Sequence, residues 1–275
     1  MKGAAWATVI GQVVSTIIVI WYMKGFKTTD LEKKHFKPVM AHTKRVAMIG
    51  MASFFNQIAI GIVQVVLNNS LKHYGARSEY GADDPIACAG IIMKVNMIVF
   101  AIVIGLAQGT QPIESFNYGA RNFSRVKKAF RLAIVAGGSI SIVAFIFFQL
   151  MPKQILGLFA NSNASDGYYE FGAKFFRTFL FFTWLNCIQP ISSTFFTSIG
   201  KSIKGVFLSL TRQIIFFIPV LLVLPRFFGI DGILYTGPIA DILSSVVAVL
   251  MVLVEFRAMS MMQELDRQRS GQAQV

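Results

Sequence analysis

From Ala129 to Met151 the chain reads AFRLAIVAGGSISIVAFIFFQLM, with Arg131 as its only charged residue. As a helix rising about 1.5 Å per residue, a stretch of this length crosses the ~30 Å hydrocarbon core of a bilayer. Seven runs of this kind follow one another: Gly3–Met23, Val46–Leu71, Pro85–Ile113, Ala129–Met151, Phe171–Ile199, Gly205–Leu224 and Gly232–Phe256. Only 14% of the residues are charged, against about 25% in an ordinary soluble domain. The expected class is therefore an all-α polytopic membrane protein of about seven transmembrane helices. The third and fifth runs are long enough that they must tilt, kink or project beyond the core.

The basic residues are distributed between the runs, which sets an orientation and argues against a nucleic-acid partner for a net charge of +13. Seven Lys and Arg fall in Lys24–Arg45, the one long connection, which reads as a basic linker lying on the membrane surface. Five more lie between Arg121 and Arg131, two at Lys201 and Lys204, and three in the tail from Arg257. The opposite side carries only Lys72, Arg77, Lys153 and Arg226. By the positive-inside rule the first set is cytoplasmic, which places the tail 257–275 inside and Met1 outside. The expected division is then a first helix (1–23), a linker (24–45), a six-helix bundle (46–256) and a cytoplasmic tail.

The first span resembles the last. GAAWATVIGQVVST (Gly3–Thr16) and GILYTGPIADILSS (Gly232–Ser245) align in residue type at an offset of 229 positions. If the last helix closes a six-helix unit, the first closes an earlier one, and internal repeats of this sort are common in transporters.

Ionisable groups within the runs are the first functional candidates, because each costs roughly 2.5–3.5 kcal/mol at a helix centre. Lys94, Glu114, Arg212 and Asp241 qualify. Asp241 lies ten residues past Asp231, about 15 Å deep, and Arg212 eight past Lys204, about 12 Å from the other side. Consecutive antiparallel spans bring these depths together, as a structural ion pair or as a site of protonation or cation coupling. Two polar stripes at helical spacing accompany them. Ser53, Gln57, Gly61, Gln64 and Asn68 share one face, and Asn186, Gln189, Ser193 and Thr197 another, beside Pro190, which is expected to bend its helix. Each stripe suits interhelical hydrogen bonding or a wet cavity, and together with a midplane Asp they favour the cavity.

Other chemistry is not apparent. His35, His42 and His73 have no ligand-type partners at suitable spacing, and Cys88 and Cys187 sit in apolar runs as packing residues. Without a Gly-rich phosphate loop, neither an enzyme nor direct ATP use is expected.

Two blocks are similar to a known family. GLAQGTQPIESFNYGARNFSRVKKAF resembles the carboxyl-half signature of the multidrug and toxic compound extrusion (MATE) family, in particular its MepA-like branch. SIGKSIKGVFLSLTRQIIFFIPVLLVLPRFFGIDGILYTGPIAD resembles the family's last two helices, and KGAAWATVIGQ its sixth. The resemblance implies two six-helix lobes around a central cavity, with this chain corresponding to helices six to twelve. On that reading the chain is a truncated or split form, helices one to five are a missing partner, and transport by this chain alone is not expected.

The implied activity is secondary efflux at a bacterial plasma membrane: cationic or amphipathic organic compounds leave while Na⁺ or H⁺ enters, with no bound cofactor. It places a cation site at Thr8 and at the carbonyl of Ala4. Asp241 is the remaining midplane acid, since the Ser53–Asn68 stripe lacks the glutamate that some relatives carry. Gln57, Gln64, Asn68, Lys94, Asn186, Gln189, Ser193 and Arg212 are the expected cavity residues. Gln111, Pro112, Asn117, Tyr118 and Gly119 form the expected cytoplasmic gate, with a turn at 117–119 and Glu114 at the membrane surface. A lipid-linked oligosaccharide flippase of the same superfamily and a non-transporting membrane remnant are the alternatives.

Overall fold

A computed structural model describes residues 2–24, 40–159 and 166–272. Among the described residues there is no strand. The helices are α1 (Lys2–Lys24), α2 (Met40–Gly75), α3 (Asp83–Gly119), α4 (Phe123–Leu150), α5 (Pro152–Gly157), α6 (Asp166–Phe179), α7 (Ile188–Ser198), α8 (Ser202–Leu210), α9 (Ile218–Phe228) and α10 (Ile230–Gln272). They fall into two compact units, Met1–Met51 and Ala52–Val275. The smaller holds α1 and the start of α2. Met40–Arg45, expected in the linker, is helical there, and residues 25–39 lie outside the described residues.

Among the described residues of the larger unit four stretches are long and apolar enough to cross a membrane: Asp83–Gly119, Phe123–Leu150, Ser202–Phe228 and Ile230–Asp266. The run expected as one fifth span is helical but broken. Residues 180–187, with a 3₁₀ turn at Thr183–Leu185, separate α6 from α7. Pro190 accordingly lies in the first turn of α7, where its missing N–H has no intrahelical acceptor to lose. The break, and not a mid-helix kink, absorbs the proline.

Two apolar clusters stack along the bundle. One gathers Leu67, Leu71, Ile92, Leu156 and the phenylalanines of α6 (Phe171, Phe175, Phe176, Phe179). The other lies toward the basic end and gathers Phe130, Phe195, Phe196, Val252 and Met259. Phe130, Phe195 and Phe256 meet one another at ring-centroid separations of 4.8–5.8 Å, within the range of favourable aromatic pairing. Cys88 and Cys187 are buried and unbonded to each other. At the opposite end, Lys174 on α6 reaches Asp231 in the first turn of α10 over 2.6 Å.

Residues 257–272, expected as a tail beyond the last span, continue α10. They are held by polar contacts to the start of α4 and the turn before it. Arg121 pairs with Asp266 at 2.6 Å, and Lys127 Nζ donates to Ser260 Oγ at 2.6 Å while lying over the Phe256 ring.

Candidate functional site

Among the described residues of the larger unit three carboxylates are almost wholly buried, and the one deepest within an apolar run is on α10. Asp241 is 1% exposed, carried inward on a face with Ala240, Ser244 and Ser245. Arg212 meets it from the neighbouring element, with Nε and a terminal guanidinium nitrogen each 2.7 Å from Asp241 Oδ1. The Arg212 side chain is 13% exposed, and its guanidinium lies 5.9 Å from the centroid of the Phe100 ring. A third element supplies Asn186. With its amide oriented so that nitrogen faces the carboxylate, it donates to Oδ1 at 3.0 Å and to Oδ2 at 3.1 Å. Helix depth in the sequence places Arg212 and Asp241 together, and the structure does so too.

Local backbone irregularity presents both partners. Arg212 lies in a π-helical segment, Thr211–Phe217, inserted between α8 and α9. Pro219 follows it, and proline cannot donate to the preceding turn while its ring crowds a carbonyl one turn back. A widened π turn relieves that conflict, and such bulges recur at functional positions. Asn186 lies just after the 3₁₀ turn between α6 and α7. A buried carboxylate can persist there because two donors from separate elements converge on it.

The other expected cavity residues divide. Gln57, Gln64 and Lys94 are exposed and Asn68 half-exposed, and Gln64 Nε2 donates to Asn68 Oδ1 along α2. Gln189 and Ser193 make the interhelical hydrogen bonds that their stripe allows. Gln189 Nε2 donates to the Leu208 carbonyl at 2.9 Å, and Ser193 Oγ to that of Gly205 at 2.7 Å. They pin α7 to α8 where the small Gly205 lets the backbones approach: a Cβ there would lie 2.6 Å from Ser193 O. Ala4 and Thr8 fall within α1, and their side chains lie outside the described residues, as does that of Ser53.

At the expected gate, α3 remains helical through Gln111, Pro112, Asn117, Tyr118 and Gly119, so the turn is later than 117–119. It comprises Ala120–Asn122. Arg121 adopts φ +55°, and Asn122 N donates back to Asn117 O at 2.8 Å. This is a left-handed helix cap at a position where glycine is usual. Asn117 instead bonds within α3, its amide donating to the Ile113 carbonyl. Glu114, expected at the surface, is 1% exposed because α3 extends beyond it and packs on α7. Ser198 Oγ donates to its Oε2 at 2.8 Å.

Two groups escaped the sequence reading. Glu255 is 1% exposed on α10, and both Lys201 and Lys204 pair with it. The signal was available: a carboxylate one residue before the end of the last apolar run, opposite the lysine pair of another loop. Asn56 accepts from Ser209 Oγ at 2.6 Å, linking α2 to α8 one turn from Arg212. Helical spacing does not single it out, because its neighbour Gln57 is the one that fits the stripe.

With this arrangement described, likeness to known proteins becomes informative. A family model described as MatE matches residues 52–223. The chain belongs to the MatE family. The multidrug export protein MepA of Staphylococcus aureus (strain bovine RF122 / ET3-1) is 28% identical over 251 residues, covering 91% of this chain and 53% of the relative. MepA of Staphylococcus saprophyticus subsp. saprophyticus is 26% identical with the same coverage. The chain spans about half the length of the curated relatives it matches. Its fold is similar to a multidrug resistance MATE family transporter of the MOP superfamily in an outward-facing conformation (TM-score 0.80, 21% identity, 94% of this chain, 56% of that one). It is also similar to a MOP superfamily transporter from Pyrococcus furiosus (TM-score 0.81, 21% identity, 94% and 57%).

Proposed function

We propose that this MatE-family chain supplies one lobe of a secondary multidrug exporter that moves cationic or amphipathic organic compounds against entry of Na⁺ or H⁺ by alternating access. The observation that carries the reading is the buried Asp241, held by Arg212 and Asn186 from two other elements. A charge set that far from water is retained at a cost in hydrocarbon and is a functional site by default. Its carboxylate is the group that a coupling cation or proton would compete for with Arg212. The exposed Gln57, Gln64 and Lys94 are the groups through which this lobe would meet a central cavity. Thr8 and the Ala4 carbonyl are proposed as a second cation position, and the basic end of the bundle as cytoplasmic. The remaining cavity wall would come from helices equivalent to the part of the relatives that this chain does not span.

The test is accumulation of a fluorescent cationic dye in energised cells producing the chain, alone and joined behind the five amino-terminal helices of the Staphylococcus aureus relative. The joined form is expected to lower dye accumulation, with loss of the effect when the ion gradients are collapsed or Asp241→Asn is introduced. Wild-type efflux by Asp241→Asn would remove Asp241 from the coupling site. Efflux that survives collapse of both gradients would overturn antiport.

A further inference from the structure

On the outer face of the bundle, toward its basic end, α4, α7 and α10 leave a groove of about 360 Å³ that no side chain fills. Most of its lining is apolar, including Ile134, Val135, Ile188 and Val249. The lining residues Val135 and Leu253 are open at 65% and 51% exposure, and Leu132 beside them is 68% exposed. In a chain with membrane-spanning helices such a face meets lipid tails, so an alkyl chain is the material that surrounds the groove.

The rim has a different character. Arg131 lines the groove and is exposed, and among the described residues no carboxylate lies within 4 Å of it. One turn earlier, Lys127 lies over the ring of Phe256, which also lines the groove, and its only described polar contact is the Ser260 hydroxyl. Lys128 is exposed beside it. Three cations without an acid therefore border one end of an apolar slot. Arg131 is eight residues into α4, about 12 Å from its start. Ser192, on the facing helix, is six residues from the end of α7, about 9 Å from it. The arginine stem thus lines the slot at the level where acyl chains begin, and its guanidinium reaches outward to where headgroups sit.

We propose that this groove is a binding site for an anionic phospholipid, with one acyl chain between α4, α7 and α10 and the headgroup phosphate held by Arg131 and Lys127. The charge complementarity decides the occupant: a zwitterionic lipid would satisfy the slot but leave the rim uncompensated, whereas clustered basic residues beside helices recruit anionic headgroups. The proposal does not rest on the transport reading, because none of the groove's lining residues belongs to the Arg212–Asp241–Asn186 cluster.

Native mass spectrometry of the purified chain with phosphatidylglycerol or phosphatidylcholine tests it directly. Phosphatidylglycerol is expected to be retained under activation that strips phosphatidylcholine, and Arg131→Gln to lower that retention about fivefold, the worth of one basic residue at an anionic surface. Arg131→Lys should keep most of it. Arg226→Gln, an exposed cation at the other end of the bundle, should change nothing. Leu253→Trp, which fills the slot, should release the lipid while Arg131 remains. Equal retention of the two lipids by the wild-type chain overturns the proposal, and so does loss with Arg226→Gln equal to that with Arg131→Gln.

Discussion

Arg212 and Asp241, 29 residues apart, meet at 2.7 Å across the seam between a π-helical turn and the buried face of α10. Removing one partner strands the other charge away from water, which typically costs about 3–5 kcal/mol. Arg212→Met and Asp241→Leu are each expected to lower the melting temperature in detergent sharply. The double variant should recover much of the loss, since a buried pair can often be exchanged for apolar groups of similar size. Additive losses in the double-variant cycle would show that the two side chains do not depend on each other.

Asn186 makes the weaker contribution to the same cluster. Its amide supplies two hydrogen bonds to a charged acceptor, so Asn186→Leu should destabilise by about 1–3 kcal/mol. Asn186→Asp sets a second carboxylate beside the first and should be worse at neutral pH, with the gap between the Asp and Leu variants narrowing as the medium is acidified. Melting curves of both variants across pH check the order. An Asp variant as stable as wild type at neutral pH would mean that Asn186 does not face Asp241.

How much of this was legible in sequence follows from what sets each feature. The Arg212–Asp241 pair was readable because bilayer thickness and helix rise together convert position in the chain into depth. The stripe of Asn186, Gln189 and Ser193 was readable as a face, but periodicity does not say what stands opposite. Gly205 decides that by letting α8 come close enough to use the polar groups for helix pairing. The turn after α3 was misplaced because the left-handed residue that ends the helix is Arg121, which carries no glycine signal. The continuation of α10 was hidden for a related reason: contacts made by Arg121 and Lys127, distant in sequence, order a segment whose own composition is that of a loose tail.

The approach of α7 and α8 gives a substitution whose effect differs by site. Ala at Gly205 would bring a Cβ to 2.6 Å from Ser193 O and from Thr197 Oγ1, an overpacking expected to cost about 1–3 kcal/mol. Gly109, also helical, has nothing within 4 Å of the corresponding position. There Ala should be neutral or stabilise by up to about 1 kcal/mol through helix propensity. The Gly205 variant should melt below wild type and the Gly109 variant at or above it, and equal destabilisation would contradict the close α7–α8 contact.

The cap at Arg121 sets two small effects against each other. A non-glycine residue at φ +55° carries about 1–2 kcal/mol of left-handed strain. The Arg121–Asp266 pair offsets some of it, but Arg121 is 68% exposed, and solvent-screened pairs contribute about 0–1 kcal/mol. The strain is the larger quantity, so Arg121→Gly should leave the fold as stable as wild type or slightly more so, although an ion pair is lost. Asp266→Asn removes the pair while keeping the strain, and should lose up to about 1 kcal/mol at low salt and less at high salt. The far end of α10 reports the same balance. Amide exchange in residues 260–272 should quicken in both variants, because each releases the contact at Asp266. If exchange there is unchanged in both, the helical extension is held by apolar packing, with Met262 in the cluster that includes Phe123 and Tyr118, rather than by the ion pair.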